Sequence, residues 1–140
     1  LKKMGQEMLF WKVAMKPGKP LAFGRIDDVP IFGLPGNPVS SFVSFEQFVR
    51  PSIRKMMGAT QLRHRSVQAK LTRTIHKKAG RQHFLSAYVQ WENGACTVNP
   101  TQEQGSGILK STVNANGLLI FPLELTEMTE GTEVTVQLLE

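Results

Sequence analysis

The chain has 140 residues, 41% of them hydrophobic, and a formal net charge of +6. This length suffices for one ordinary domain or two small ones. It contains no run of about 18 apolar residues, so no membrane-spanning helix is expected. The single Cys96 cannot form an internal disulfide, which fits a reducing compartment. Because the chain begins at Leu1 and its first residues look like the end of a helix, we expect a fragment of a longer protein.

The first 34 residues predict three short strands. Leu9 to Met15 forms an apolar run typical of a buried strand, and the segment 17–20, Pro-Gly-Lys-Pro, interrupts it. Residues 21–25 and 29–34 are two further strand candidates, separated by a turn at Asp27-Asp28. We therefore expect a hairpin or neighbouring strands of one sheet.

The clearest predicted element is a helix after the third strand. Asn37 is a favoured N-cap residue, and Pro38 suits the first helical position. Apolar residues recur at helical spacing between positions 39 and 56 and predict a well-buried helix, which Pro51 should kink and Gly58 should end. A strand, a tight turn and a helix in this order are typical of an α/β subdomain. One strand–turn–helix unit is too small to be a complete subdomain.

The second half of the chain predicts an all-β domain. After a polar, basic linker at residues 59–65, short apolar or alternating segments follow at 67–71, 84–91, 95–98, 118–121 and 133–139. Asn93-Gly94 is a hairpin signal, and residues 105–112 predict a short helix or loop. The pattern is typical of a small barrel or sandwich. The predicted fold class is therefore α+β, with a partial α/β subdomain at residues 1–60 and a small all-β, barrel-like C-terminal domain at residues 61–140.

Charge is distributed unevenly along the chain. Residues 1–46 carry +2, residues 47–91 carry +10 with no acidic side chain, and residues 92–140 carry −6. Such a basic stretch attracts nucleic acid, an acidic membrane surface or a phosphorylated small molecule. The simpler alternative is a solvated basic face beside an acidic one.

Two lysines flank a Pro-Gly turn in the segment Lys16-Pro17-Gly18-Lys19-Pro20. The prolines limit backbone freedom, so both ammonium groups are partly pre-positioned and can face one oxyanion. An exposed basic turn between strands is the simpler alternative.

A second candidate is the glycine-containing loop from Gly33 to Ser41, which leads into the helix. Free N–H groups and the helix dipole favour anions at a helix N-terminus, and the hydroxyls of Ser40 and Ser41 can add donors. The loop lacks the Gly-Lys-Ser/Thr end of a Walker loop. A capped helix after a tight turn, without a ligand, is the simpler alternative.

A third candidate lies in the β-rich half, where Arg81 follows Gly80 and Ser106 stands between Gly105 and Gly107. Arginine suits bidentate contact with oxyanions. On local evidence alone, a plain hairpin turn and a loop are favoured.

The remaining reactive side chains indicate no site. His64, His76 and His83 lack metal-ligand spacing, so we expect no metal ligand in this chain. Cys96 has no neighbouring base, and no nucleophile–base pair is evident, so no catalytic residue is assigned.

Taken in order, three segments closely resemble the MoeA/gephyrin E-domain family: residues 13–20 (Val-Ala-Met-Lys-Pro-Gly-Lys-Pro), Phe23-Gly24, and residues 32–41 (Phe-Gly-Leu-Pro-Gly-Asn-Pro-Val-Ser-Ser). Residues 115–119 and 130–136 look like the C-terminal β-domain of that family, more loosely. The resemblance covers nearly the whole chain and implies that residues 1–60 are part of a MogA-like, molybdopterin-binding subdomain.

The resemblance also implies an activity. Family members insert molybdate into adenylylated molybdopterin and release AMP, with Mg²⁺ as the divalent metal. They work as homodimers in the cytoplasm. A transferase of molybdenum cofactor biosynthesis is therefore expected, whose substrates are molybdopterin-AMP and molybdate, with no membrane or nucleic-acid partner.

The implied molybdate and molybdopterin site contains both lysine-motif and helix-motif residues. The resemblance assigns to it Lys16, Pro17, Gly18, Lys19, Pro20, Pro35, Gly36, Asn37, Pro38, Ser40 and Ser41. Arg81 and Ser106 are the best matches to the arginine and serine that the family's β-domain contributes.

Two departures from the family pattern matter. The family's Gly-Gly-Val-Ser-Val-Gly loop and the nearby acid that helps to hold the metal are expected upstream of Leu1, so the Mg²⁺ ligands are expected outside this chain. Where the family often has a second arginine, this chain has Phe84-Leu85-Ser86. Whether the 140 residues are active alone stays open.

Two alternative functions remain from the sequence. The basic barrel could be a nucleic-acid-binding module, although it has few exposed aromatic residues interleaved with its basic ones. A steep salt dependence of oligonucleotide binding would favour this alternative. The chain could also be a scaffold domain like that of gephyrin-like relatives.

Overall fold

The computed structural model describes residues 6–101 and 112–139. The chain divides into two compact units, residues 1–62 and residues 63–140. In the described part of the chain, no helix is both long and apolar enough to cross a membrane.

A three-stranded antiparallel sheet forms the first part of the first unit. Its strands are β1 (Gln6–Trp11), β3 (Ala22–Ile26) and β4 (Val29–Gly33), in the order β1-β3-β4. The short strand β2 (Met15–Lys16) lies between β1 and β3 in the sequence. Asp27 and Asp28 form the turn between β3 and β4, which confirms the predicted hairpin. Aromatic rings from neighbouring strands contact one another, with centroids 5.5 Å apart for Phe10 and Phe23 and 4.8 Å apart for Phe23 and Phe32.

The prediction of one buried strand from Leu9 to Met15 is wrong. β1 ends at Trp11, because Lys12 adopts a positive φ of 81° and its N–H donates to Leu21 O at 3.0 Å. Leu9 and Trp11 are more than half exposed. An apolar run shows only that a segment can be buried. Whether it is buried depends on the residues that pack against it.

Helix α1 (Pro38–Ser44) continues through a π-helical turn (Phe45–Val49) into helix α2 (Arg50–Met56). Asn37 is the N-cap, as predicted, and the helix ends before Gly58, whose φ is 78°. Pro51 has no N–H to donate, and the irregularity expected near it takes the form of the π-helical turn, in which the Arg50 N–H donates to Phe45 O.

The helical segment is much less buried than its apolar periodicity predicts. Only Val43 and Ser44 are fully buried, whereas Phe45 is 37% and Met56 63% exposed. Helical spacing identifies the apolar side of a helix, but the burial of that side depends on what packs against it.

The second unit contains a closed five-stranded barrel. Its strands are β5 (Ser66–Leu71), β7 (Gln82–Glu92), β8 (Ala95–Pro100), β9 (Gly117–Phe121) and β11 (Glu133–Leu138). They follow the order β7-β8-β5-β11-β9, and pairing of β7 with β9 closes the barrel. Strands β6 (Ile75–His76) and β10 (Glu127–Met128) form a separate two-stranded ribbon. The predicted α+β class with a small C-terminal barrel is confirmed.

The barrel interior is apolar and tightly closed. Its buried cluster contains Ala69, Leu71, Ile75, Ala87, Val89, Val98, Leu119, Phe121, Met128, Val134, Val136 and Leu138. These residues alternate with more exposed ones along β5, as the sequence predicted from positions 67–71. The hairpin at Asn93-Gly94 is also confirmed, since both residues have positive φ, 48° and 77°.

Candidate functional site

The Lys16–Pro20 motif lies in a loop that closes on itself at the end of β1 and the start of β3. The N–H of Lys12 donates to Leu21 O, and the N–H of Val13 donates to Lys19 O, both at 3.0 Å. The Lys16–Pro17 peptide is cis. Gly18 is buried in the loop, whereas the side chains of Lys16 and Lys19 are exposed.

Gly18 places this loop directly against helix α1. Its φ is 103°, and a Cβ built on it would lie 2.6 Å from Ser44 Oγ and 2.8 Å from Met15 Cε. The positive φ therefore favours glycine, and a side chain here would also displace Ser44 Oγ and the end of the Met15 side chain. Ser44 is fully buried at the end of α1. The sequence prediction did not include Ser44, since the only signal was a small polar residue on an apolar helix face.

The Pro35–Ser41 motif forms the start of the same helix. The Asn37 side-chain oxygen accepts hydrogen bonds from the N–H groups of Val39 at 3.0 Å and Ser40 at 3.2 Å. The N–H of Ser41 donates to Asn37 O at 2.9 Å, and the hydroxyl of Ser41 donates to Pro35 O. Contrary to the expectation of free donors at this N-terminus, these three N–H groups already have partners within the motif.

Helix α1 joins the two motifs. The Pro35–Ser41 motif begins the helix, and Gly18 of the lysine loop contacts its last residue, Ser44. Seven residues, the separation between Asn37 and Ser44, rise about 10 Å along an α-helix. Among the described residues, no hydrogen bond joins the Lys16 or Lys19 side chain to residues 35–41.

Lys16 and Lys19 differ from two nearby basic residues, Lys12 and Arg25, in having no charged or aromatic partner among the described residues. Arg25 forms an ion pair with Glu7 at 2.7 Å, and Lys12 Nζ lies 4.6 Å from the centroid of the Trp11 ring. Within residues 6–101 and 112–139, neither Lys16 nor Lys19 has an ion-pair partner. Two exposed ammonium groups are therefore available to an anion from solution.

The third candidate can be located only in part. Arg81 is exposed in the connection between β6 and β7, directly after Gly80, whose φ is 93°. Ser106 and its flanking glycines lie outside the described residues.

Several side chains of the basic segment have partners within the barrel unit. His76 Nδ1 lies 3.7 Å from Glu127 Oε2 across the β6–β10 ribbon, and Lys70 on β5 is the backbone register partner of Glu133 on β11. Lys77 donates to Leu123 O at 3.2 Å, and Arg73 donates to Pro100 O at 2.8 Å. These contacts favour a solvated, locally balanced surface over a nucleic-acid interface.

The described residues show no cluster of three or more His, Cys, Asp or Glu side chains that could hold a metal ion. His83 makes an edge contact with Phe121, with centroids 6.4 Å apart, and is half-buried. It is therefore less exposed than the surface position that its sequence context predicts. Burial raises the pKa of the Cys96 thiol above its ordinary value.

Comparison with protein families agrees with this geometry. Residues 68–139 match the model of the MoeA C-terminal region (domain IV), and residues 1–55 match that of a probable molybdopterin-binding domain. The first match covers the barrel strands, and the second covers the sheet, both motifs and most of the helical segment.

Curated relatives resemble nearly the whole chain. A molybdopterin molybdenumtransferase of Haemophilus influenzae is 38% identical over 98% of this chain and 34% of its own length. Molybdopterin molybdenumtransferase 2 of Mycobacterium tuberculosis is 39% identical over 91% of this chain and 31% of its own length. The chain therefore spans about a third of the length of these relatives.

Solved structures share the fold. A MoeA protein of Pyrococcus horikoshii OT3 superimposes with a TM-score of 0.80 and 33% identity, over 95% of this chain and 33% of that one. A molybdenum cofactor biosynthesis protein of Pyrococcus furiosus gives a TM-score of 0.79 at 26% identity, over 95% of this chain and 45% of that one. By its family-model match, its relatives and its fold, the chain belongs to the MoeA family of molybdenum cofactor biosynthesis proteins.

Proposed function

We propose that this chain is part of a molybdopterin molybdenumtransferase, which inserts molybdate into adenylylated molybdopterin and releases AMP. Membership of the MoeA family and the names of the relatives support this proposal. Because the chain spans only about a third of the length of those relatives, we propose the activity for the whole protein and not for these 140 residues alone.

The observation that carries the proposal is a pair of exposed lysines, Lys16 and Lys19, on one turn, neither of which has an ion-pair partner among the described residues. Molybdate and the phosphate of an adenylate are both oxyanions, and an ammonium group stabilises such an anion by charge and by hydrogen bonds. Gly18 packs against Ser44, and Pro17 and Pro20 restrict the backbone on either side of it. Lys16 and Lys19 therefore need little ordering to hold an oxyanion.

The second motif contributes to the same proposed site as a rigid support. Its hydrogen bonds hold the first turn of α1 in place. We assign to the molybdate and molybdopterin site the motif residues Pro35, Gly36, Asn37, Pro38, Ser40 and Ser41. Of these, the Ser40 side chain is the proposed hydroxyl contact, because the Ser41 hydroxyl is already donated to Pro35 O.

The family resemblance also assigns Arg81 and Ser106 to the molybdate and molybdopterin site. In this assignment, residues 1–60 are the C-terminal part of the molybdopterin-binding subdomain, and residues 61–140 are the barrel-like C-terminal domain. The two family models match on either side of this division, which supports it.

The remaining parts of the proposal come from the family resemblance. They are Mg²⁺ as the divalent metal, a homodimer as the working assembly, and the cytoplasm as its location. The resemblance places the proposed Mg²⁺ ligands outside this chain, so no step is assigned to the metal.

Substitution of each lysine tests the proposed site. In the product of the complete reading frame, Lys16→Ala and Lys19→Ala should each lower cofactor formation from adenylylated molybdopterin and molybdate about tenfold or more, the size of a charged hydrogen bond. Lys55→Ala is the matched control, since Lys55 is an exposed lysine of the same unit outside both motifs. Unchanged cofactor formation in both motif variants, with folding intact, would refute the site.

A further inference from the structure

The hydroxyl of Ser44 is buried without a hydrogen-bond partner. The residue has 0% exposure, and its Oγ accepts and donates no hydrogen bond among the described residues. Buried polar side chains nearly always have a partner, so an exception calls for a physical explanation.

The hydroxyl does not use the partner that a helix normally offers. A helical serine commonly donates to the carbonyl oxygen four residues earlier. Ser52 does so in the same helical segment, with its Oγ 2.8 Å from Phe48 O. Ser44 Oγ instead lies 2.6 Å from the position that a Cβ on Gly18 would occupy, and therefore at the backbone of the lysine loop.

The position of Gly18 links this hydroxyl to both lysines. Lys16 precedes Gly18 by two residues and Lys19 follows it directly, so a change in the Gly18 peptides alters the backbone that separates the two lysines. Glycine tolerates such a change better than any other residue. The peptide groups beside Gly18 are therefore the nearest backbone partners that a small loop movement could bring to Ser44.

We infer that Ser44 is a positioning residue: its hydroxyl hydrogen-bonds to a peptide group beside Gly18 when Lys16 and Lys19 close on an oxyanion. This inference rests on the proposed function. The unpartnered hydroxyl is tolerated in the open loop, and its pairing in the closed loop favours the oxyanion-bound state. Loss of the hydroxyl should therefore weaken oxyanion binding while leaving the open fold intact.

A purely structural role makes a different prediction. If Ser44 only needs to be small beside Gly18, alanine should serve as well as serine, and any larger residue should be harmful. Two matched pairs separate the possibilities: Ser44 and Ser44→Ala differ only in the hydroxyl, and Ser44→Thr and Ser44→Val differ only in hydroxyl against methyl.

The experiment uses the product of the complete reading frame. Cofactor formation is measured at saturating adenylylated molybdopterin over a range of molybdate concentrations, which gives KM for molybdate and kcat, and urea unfolding is measured in parallel. We expect KM for molybdate to rise about tenfold from Ser44 to Ser44→Ala, as for a lost hydrogen bond. The urea midpoint of Ser44→Ala should be no lower than that of the parent, and Ser44→Thr should have a lower KM than Ser44→Val.

Equal KM values for Ser44 and Ser44→Ala would overturn the inference, whatever the larger variants do. Ser44→Ala removes a single oxygen atom, so this pair decides the question even if threonine and valine prevent folding. Lys16→Ala is measured alongside. If it impairs cofactor formation while Ser44→Ala does not, only the role of Ser44 fails; if neither variant has an effect, the proposed site fails as well.

Discussion

The side-chain amide of Asn116 pairs with both backbone polar groups of Val89. Its Oδ1 accepts from the Val89 N–H at 2.7 Å, and its Nδ2 donates to Val89 O at 3.0 Å. Ala87 and Gly117 are the last register pair of β7 and β9, the strands that close the barrel. The side-chain amide of Asn116 thus adds two hydrogen bonds beyond that pair.

We expect Asn116→Ala to destabilise the barrel by about 1–2 kcal/mol, because it removes two part-buried hydrogen bonds to the Val89 backbone. Urea unfolding measures the loss, and hydrogen exchange at the Val89 amide should become faster than at the Val98 amide. Asn114→Ala, at an exposed position nearby, is the control and should change neither quantity. A protected Val89 amide in Asn116→Ala would contradict this account.

Gly18→Ala should destabilise the first unit by about 1–3 kcal/mol, since alanine is strained at a φ of 103° and its methyl group would overlap Ser44 Oγ. Gly36→Ala is the matched stability control, because a Cβ there meets no atom within 4 Å and the φ of Gly36 is not positive. Urea or thermal unfolding compares the two. Equal midpoints would show that the Gly18 loop can move away from α1 at no cost.

Asn37→Ala should cost about 1 kcal/mol, as expected for removal of an N-cap whose side chain accepts two N–H groups. Asn37→Ser keeps an acceptor oxygen and should recover most of the stability. The free energy of unfolding of the three proteins provides the comparison. If alanine and serine lower it equally, the cap contributes through backbone conformation instead.

Cys96 should react slowly with iodoacetamide near neutral pH. Burial raises the pKa of its thiol, so at a given pH the reactive thiolate is a smaller fraction than in an unhindered cysteine. The alkylation rate should therefore rise with pH through a midpoint above that of the same protein unfolded in urea. A midpoint at or below the unfolded one would show that burial does not control this thiol.

Local signals in the sequence were reliable where one or two residues determine the backbone. Asn37-Pro38 begins a helix, and Asn93-Gly94 forms a hairpin, because capping and positive φ are properties of those residues themselves. Alternation and turn spacing predicted a small barrel or sandwich, and the structure is a closed barrel. Strands β6 and β10, with two residues each, are too short to show any alternation.

Burial and long-range contact could not be predicted from the same patterns. Trp11 is 61% exposed although it lies in an apolar run, because coverage depends on what else packs there. The contact between Gly18 and Ser44 joins residues 26 positions apart, and no local sequence pattern indicates it. The lysine motif was visible in the sequence, whereas the residue that holds it in place was not.

Closure of the barrel by β7 and β9 has a consequence for how this unit behaves in a crowded solution. Each of its five strands is hydrogen-bonded on both sides over part of its length, which leaves less unpaired backbone for a foreign strand than an open sheet of the same strands would. We therefore expect a foreign strand to add less readily to this unit than it would to an open five-stranded sheet.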